Sequence, residues 1–262
     1  MRLPGKIFSD VAGIPFLKRL IDRMKLVERQ DGIVICTSAE ESDARLRAQA
    51  PEWGVDVYGG SLEDVMLRLL ESGRKFNATN VVRVTGDNLF TSPVMLDFLL
   101  ETHERSGADF TKIDGLPLGV NADVLSLAAL EDVYSNLPAD ADSEYIQLYT
   151  YDPERYRCLI HNAPESLMQP ELSLTMDYER DLEMVRFVVE SLGDSFCIHE
   201  VMTLLEQTNR AIFLAPDTSI KVPGGVKDWG EYKAYMSEIR IAANTVIDPS
   251  QFDHLRPDPA RW

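Results

Sequence analysis

Apolar residues along this chain follow two alternating rhythms. Compact β-rich runs at Gly32-Ile33-Val34-Ile35-Cys36-Thr37, Val55-Asp56-Val57-Tyr58, Asn80-Val81-Val82-Arg83-Val84-Thr85 and Ala108-Asp109-Phe110-Thr111 predict strands. Between them, Ser42 to Ala50, Val65 to Ser72 and a stretch from Ser92-Pro93 to about Ser106 predict helices. Pro93 suits a first helical turn, where its missing N–H costs nothing. Gly59-Gly60 marks the end of the second strand, and Ser61-Leu62-Glu63-Asp64 reads as a capping box for the helix behind it. Strand, loop and helix in repeated succession mean parallel strands joined by crossover helices. Sheets of that kind bind ligands at the carboxyl ends of their strands. Chemistry is therefore expected around Thr37-Ser38, Gly59-Gly60-Ser61 and Gly86-Asp87-Asn88.

The second half mixes the rhythms. Val124-Leu125, Arg157 to Ile160 and Leu172 to Thr175 predict strands. Leu127 to Tyr134, Ser143 to Thr150, Asp181 to Leu192 and Ile198 to Leu205 predict helices, with Pro138 to Asp142 a polar loop. Beyond about residue 212 the pattern weakens to one helix at Trp229 to Ala243 and a Pro-rich end. The expected organisation is a domain over 1–212 and a C-terminal extension over 213–262.

Composition narrows the class. The chain of 262 residues is 45% hydrophobic with a formal charge of −17. That is ordinary for a folded domain and opposite to the basic stripe of a nucleic-acid binder. It also disfavours docking on anionic lipid. Three scattered cysteines offer no disulfide framework and no thiolate zinc site. No apolar run of about 18 residues predicts a membrane span, and the first residues lack an apolar signal region. The expectation is a cytoplasmic protein without nucleic-acid or membrane partners.

Familiar signatures are missing: the chain has no phosphate loop, no Gly-x-Gly-x-x-Gly and no Gly-x-Ser-x-Gly. Charge placement says more. Residues 1 to 30 hold seven basic and three acidic side chains inside an acidic protein, which points to a local anion site. Lys18 to Arg29 reads as one helix with a charged solvent face. Arg2 and Lys6 instead flank Leu3-Pro4-Gly5, a stiffened turn that lets backbone approach a ligand. Asp87 and Asp177 each follow a predicted strand. Carboxylates on one sheet rim can jointly hold Mg²⁺, a hard cation that also binds substrate phosphates.

At these residues the chain resembles a known family. Arg2-Leu3-Pro4-Gly5-Lys6, Gly13-Ile14-Pro15, Thr37-Ser38, Gly60-Ser61-Leu62-Glu63-Asp64-Val65 and Val82-Arg83-Val84-Thr85-Gly86-Asp87 resemble, in order, the cytidylyltransferases of the SpsF (spore coat polysaccharide biosynthesis) and CMP-Kdo synthetase-like type. Thr175-Met176-Asp177-Tyr178-Glu179-Arg180-Asp181-Leu182-Glu183 is similar to the family's late Asp-x-x-x-Asp-Leu-Glu element. The resemblance covers roughly residues 1 to 195. It implies a Rossmann-like, mostly parallel twisted sheet flanked by helices, as in nucleotide-diphospho-sugar transferases. It also implies transfer of CMP from CTP to an acidic sugar or phosphonate acceptor, with release of pyrophosphate, for surface polysaccharide.

By family position, Asp87 and Asp177 would hold Mg²⁺, and Lys6 and Arg2 would act on the triphosphate. Leu3, Gly5, Thr37, Ser38, Gly60, Ser61, Asp64, Arg68, Arg83 and Thr85 would bind the nucleotide. Members of the family commonly pair as homodimers, so the tail after residue 212 is a candidate dimerisation arm or lid.

Three departures stand out. In the family a strand and a small-residue loop precede the Arg-Leu-Pro-Gly-Lys motif, which here stands at residue 2. Ser143-Glu144-Tyr145 occupies the place of an Arg-Glu-His element, and Asn121-Ala122-Asp123 shortens an element that otherwise ends in Glu. Two alternatives are weighed against the transferase. One is a glycosyltransferase using Asp140-Ala141-Asp142 for its metal. The other is a catalytically degenerate homologue serving as a binding subunit.

Overall fold

The computed structural model describes residues 3–138, 146–214, 228–243 and 247–262. A short hairpin, β1 (Asp10–Val11) and β2 (Ile14–Pro15), turns through Ala12 and Gly13, both at positive φ, and feeds α1 (Phe16–Met24). A parallel unit follows: β3 (Val34–Ser38), α2 (Ala44–Glu52) and β4 (Asp56–Gly60). Next come α3 (Val65–Lys75), β5 (Asn80–Arg83), α4 (Pro93–Ser106) and β6 (Phe110–Asp114). The chain continues through β7 (Asp123–Ser126), α5 (Leu127–Ser135), α6 (Gln147–Thr150) and β8 (Cys158–Asn162). Among the described residues, α7 (Glu179–Leu192), α8 (Ile198–Gln207) and α9 (Trp229–Ala243) follow, with short 3-10 turns at Pro249–Leu255 and Pro259–Arg261.

The helix starts have local causes. Ser92 Oγ accepts from the Met95 amide ahead of Pro93, and Ser126 Oγ accepts from the Ala129 amide. For α3 the cap differs from expectation. Asp64, not Ser61, is the N-cap and accepts from the Leu67 amide, while Ser61 Oγ takes the amide of Asp64 one turn earlier. The Gly59-Gly60 pair does not stop β4 either; it continues the strand opposite Thr37 and Ser38. A Cβ on Gly60 would lie 2.8 Å from the Tyr58 ring and 3.2 Å from the Arg68 side chain, so only glycine leaves room for those side chains.

The sheet is mixed rather than mostly parallel. In the order β5-β7-β6-β8, β6 and β8 are parallel, but β7 runs antiparallel to both β5 and β6. The cause is the helix-free connection 115–122, which reverses the chain between β6 and β7 where a parallel pair would need a crossover. The strand expected at 172–175 is also absent. Leu172 and Ser173 make only single bridges, to Phe213 and Leu118, because this segment is packed against the 117–120 loop.

Alternate residues of the sheet feed two cores. Ile113 and Val124 join Phe16, Leu99, Val185 and Val201 on the side of α1, α4, α7 and α8. Phe110 and Leu125 join Met66, Leu70 and Leu130 on the side of α3, α5 and α9. The described part of the C-terminal extension packs on this body. From α9, Met236 and Ala243 enter the second core; Phe252 packs with Leu159, and Trp262, 1% exposed, lies beside Phe98. Among the described residues no helix is long and apolar enough to cross a membrane.

Two histidines between α4 and the sheet give stability a pH dependence. His161 Nε2 pairs with Thr102 Oγ1 at 3.0 Å against the rings of Phe98 and Phe252. His103 Nδ1 pairs with Thr111 Oγ1 at 2.8 Å. Burial, with Arg256 adding repulsion, lowers the His161 pKa to about 3; burial lowers that of His103 to about 4, against an opposing pull from Asp109. Both folded values lie below the unfolded value near 6.5, so the unfolded chain binds more protons in between. Stability is therefore complete above about pH 6.5 and falls by a few kcal/mol as the pH drops toward 4. Melting temperatures across that range check this, and His161→Phe should flatten the slope.

Candidate active site

Three segments far apart in sequence are laced together at one rim of the sheet. The Leu3 amide donates to the Asp177 carbonyl at 2.9 Å, and the Met176 amide donates to the Asp87 carbonyl at 3.1 Å. Asp181 Oδ2 accepts from the amides of Asp177 and Tyr178 at 2.9 and 2.8 Å, which anchors this stretch to the start of α7. Gly5, at φ 62°, turns the chain into the short helical turn Lys6–Phe8. That left-handed geometry is cheap only for glycine.

The turn delivers Lys6 between the two acids. Its Nζ lies 2.6 Å from Asp87 Oδ2 and 2.8 Å from Asp177 Oδ1. The three side chains keep 24%, 24% and 26% of their surface exposed, so a ligand can reach them. Burial alone would lower the Lys6 pKa; hydrogen bonds to Asp177 and Asp87, and their charges, more than offset this and raise it. Lys6 is thus a firmly held ammonium. Thr85 belongs to the same rim: its carbonyl accepts from the Asn88 amide and its hydroxyl from the Asn88 side chain.

The donor set suits a hard cation. Asp87 and Asp177 offer converging carboxylate oxygens, and among the described residues no group of three or more His, Cys, Asp or Glu forms a self-sufficient metal cage. Mg²⁺ commonly takes one or two carboxylates and completes its octahedron with water and substrate phosphates. The pair fits a Mg²⁺ shared with a nucleotide.

A second group sits at the ends of β3 and β4. Asp43 Oδ2 accepts from Thr37 Oγ1 at 2.7 Å, Ser38 Oγ at 2.6 Å and the Ser38 amide at 3.0 Å. Burial would raise the Asp43 pKa, but these bonds, with Arg47 nearby, lower it on balance. Thr37 and Ser38 are both buried and hold this corner rather than presenting free hydroxyls. The Gly60 carbonyl accepts from the Ala39 amide, and Arg68 donates to the Ser61 carbonyl at 2.6 Å. Asp64 also accepts from the Tyr134 hydroxyl at 2.9 Å.

Arg83 faces Asp123 across the β5–β7 pair, 3.7 Å away, and Asp123 accepts from the Gln147 side chain, which in turn accepts from the Tyr232 hydroxyl of α9. The extension therefore reaches the Asn121-Ala122-Asp123 element. Arg2, Ser143-Glu144-Tyr145 and Asp140-Ala141-Asp142 lie outside the described residues.

The structure brings together Leu3, Gly5, Lys6, Thr85, Asp87 and Asp177, and separately Thr37, Ser38, Gly60, Ser61, Asp64 and Arg68. Reading from sequence missed Asp43, Gln147 and Tyr232, and gave Asp181 no role although the late Asp-x-x-x-Asp-Leu-Glu element contains it. Asp181 had a signal, an acid in the first turn of a predicted helix. Gln147 and Tyr232 had none, because only tertiary packing brings them to Asp123.

A parallel unit joined to a mixed sheet and flanked by helices is a nucleotidyltransferase-like fold. The cytidylyltransferase family model matches residues 1–213, and the chain belongs to that family, whose members carry out CTP-using nucleotidyl transfer. It is 31% identical over 215 residues to the spore coat polysaccharide biosynthesis protein SpsF of Bacillus subtilis (strain 168), covering 79% of this chain and 89% of the relative.

Solved structures agree on the fold. A cytidylyltransferase from Leptospira borgpetersenii superposes with TM-score 0.73 at 23% identity, covering 80% of this chain and 90% of the other. A CMP:2-keto-3-deoxy-manno-octonic acid synthetase complexed with CTP gives TM-score 0.56 at 15% identity, over 72% and 93%.

Proposed function

We propose that this protein transfers CMP from CTP to an acidic sugar or phosphonate acceptor in a Mg²⁺-dependent reaction that supplies surface polysaccharide synthesis in the cytoplasm. The observation that carries the reading is the convergence of Lys6, Asp87 and Asp177 at the sheet rim. The acceptor oxyanion forms a bond to the α-phosphorus of CTP, the α–β bridging bond breaks, and pyrophosphate leaves with the bonding electrons.

An anionic nucleophile attacking a polyanion must overcome repulsion, so cationic groups have to be fixed in place before the reaction begins. When bound, Mg²⁺ supplies Lewis acidity at the phosphate oxygens. Asp87 and Asp177 would hold it. Lys6 would pair with the triphosphate, assisted by backbone N–H groups around Gly5 and by Arg2. The corner at β3 and β4, stiffened by Asp43, would seat the nucleoside, and the Arg83–Asp123–Gln147–Tyr232 chain would border the acceptor. The formal charge of −17 argues against nucleic-acid and anionic-membrane partners.

The test is pyrophosphate release from CTP with Mg²⁺ across a panel of acidic sugars and phosphonates, beside thermal shifts with CTP and UDP-sugars. Stabilisation by CTP and turnover with one acceptor class are expected. Stabilisation by UDP-sugars alone would transfer the site to a glycosyltransferase, and no response to either would make the chain a degenerate binding subunit.

A further inference from the structure

We infer that the Lys6 ammonium occupies the cation position between Asp87 and Asp177 in the nucleotide-free protein, so that a divalent metal enters only as the triphosphate draws the lysine away. The inference rests on the proposed role of Lys6 at the triphosphate and deepens it. It grows from one geometric fact: Lys6 Nζ is within 2.8 Å of both carboxylates at once. A cation ligated by both Asp87 Oδ2 and Asp177 Oδ1 would lie where that ammonium lies. The two positive charges cannot share the gap, since a like charge at contact distance disfavours the second.

Displacing the ammonium without compensation gives up two short charge-assisted hydrogen bonds, and the metal alone offers Lys6 no new partner. A triphosphate does, because its oxygens are acceptors for the ammonium and ligands for the metal. Lys6 also has the means to move: it sits on a short turn behind Gly5 and keeps 24% of its side-chain surface exposed. The anchoring of the acids does not move with it, because their backbones are held by Met176 N–H to Asp87 O, Leu3 N–H to Asp177 O and the Asp181 carboxylate. Metal and nucleotide affinities are then reciprocally coupled through one side chain. Nucleotide-free protein stays poorly metallated, and the two carboxylates are kept converged and partly neutralised in the meantime.

The probe is Mn²⁺ alone, titrated calorimetrically into nucleotide-free protein, with wild type, Lys6→Met and Lys6→Arg compared. Lys6→Met keeps much of the side-chain length and removes the charge, so Mn²⁺ affinity should rise about tenfold or more. Lys6→Arg keeps the charge and should stay close to wild type. Adding Asp87→Asn to Lys6→Met should abolish the gain. Melting curves confirm that each variant is folded.

Equal Mn²⁺ affinity in wild type and Lys6→Met, with both folded, overturns the inference. So does a gain that survives Asp87→Asn, because the metal would then bind elsewhere. These outcomes involve no CTP, so they are separate from the fate of the proposed reaction. Tightened Mn²⁺ binding in a protein that ignores CTP would sustain the stand-in role while removing the cytidylyl-transfer reading.

Discussion

Asp87→Asn should lower CTP-dependent pyrophosphate release by about 10³-fold, the scale expected when a preorganised charge is removed from a phosphoryl-type transition state. The fold should barely register the change. Asn is isosteric, its carbonyl oxygen can still accept from Lys6 Nζ, and the Asp87 backbone carbonyl keeps its bond from the Met176 amide. What disappears is half of the carboxylate charge on which a divalent cation depends.

Asp177→Asn should behave alike, and the pair should be strongly non-additive, since each acid is of little use to the cation without the other. A release assay with a melting curve on the same preparation decides the matter. Near wild-type turnover in either single variant would remove that residue from the metal-binding role.

Gly119→Ala should produce the largest loss of stability from a single methyl group. Gly119 sits at φ +92°, and an added Cβ would meet backbone rather than a movable side chain: 2.6 Å from the Thr175 nitrogen and 2.8 Å from the Leu174 carbonyl carbon. Backbone strain of this kind costs about 1–3 kcal/mol before any collision is relieved. Relieving the collision means separating the 117–120 loop from residues 172–175, which are tied by Leu118 N–H to Leu172 O and Leu174 N–H to Leu118 O.

A total of about 3–5 kcal/mol corresponds to a melting shift of roughly 6–15 °C in a chain of this size. Activity should fall as well, because the displaced segment leads directly into Met176 and Asp177. A variant that melts within about 2 °C of wild type would show that the two segments part at little cost.

Much of the architecture could be read along the chain. The alternation of β-rich runs with helical stretches placed β3, β4, β5 and β6, and Ser92-Pro93 announced the start of α4, because caps and periodicity are local physics. The direction of β7 was not legible. It depends on a helix-free connection whose length says only that the chain turns back, while an isolated apolar run carries no mark of parallel or antiparallel pairing. The 172–175 stretch has strand composition, yet its neighbour is the 117–120 loop around Gly119 and it makes only single bridges. Gly59-Gly60 misled in the opposite sense: glycine usually interrupts a strand, but here both residues pair with β3, and Gly60 makes room for the Tyr58 and Arg68 side chains.

The same division runs through the site. Lys6, Asp87 and Asp177 were nominated by residue type, by their positions after turns and predicted strands, and by family resemblance. Their meeting spans 81 and 171 positions of sequence separation. By itself the sequence determined the class of fold and the acidic character of the chain, and it nominated the side chains expected to do cytidylyl chemistry. Tertiary structure alone decided that one ammonium sits between two carboxylates, that Asp43 ties up the hydroxyls of Thr37 and Ser38, and that α9 reaches Asp123 through Gln147. The physical reason is range: propensities and caps act over a turn or two of chain, whereas a charge cluster exists only once packing has paid the entropy of bringing distant segments together.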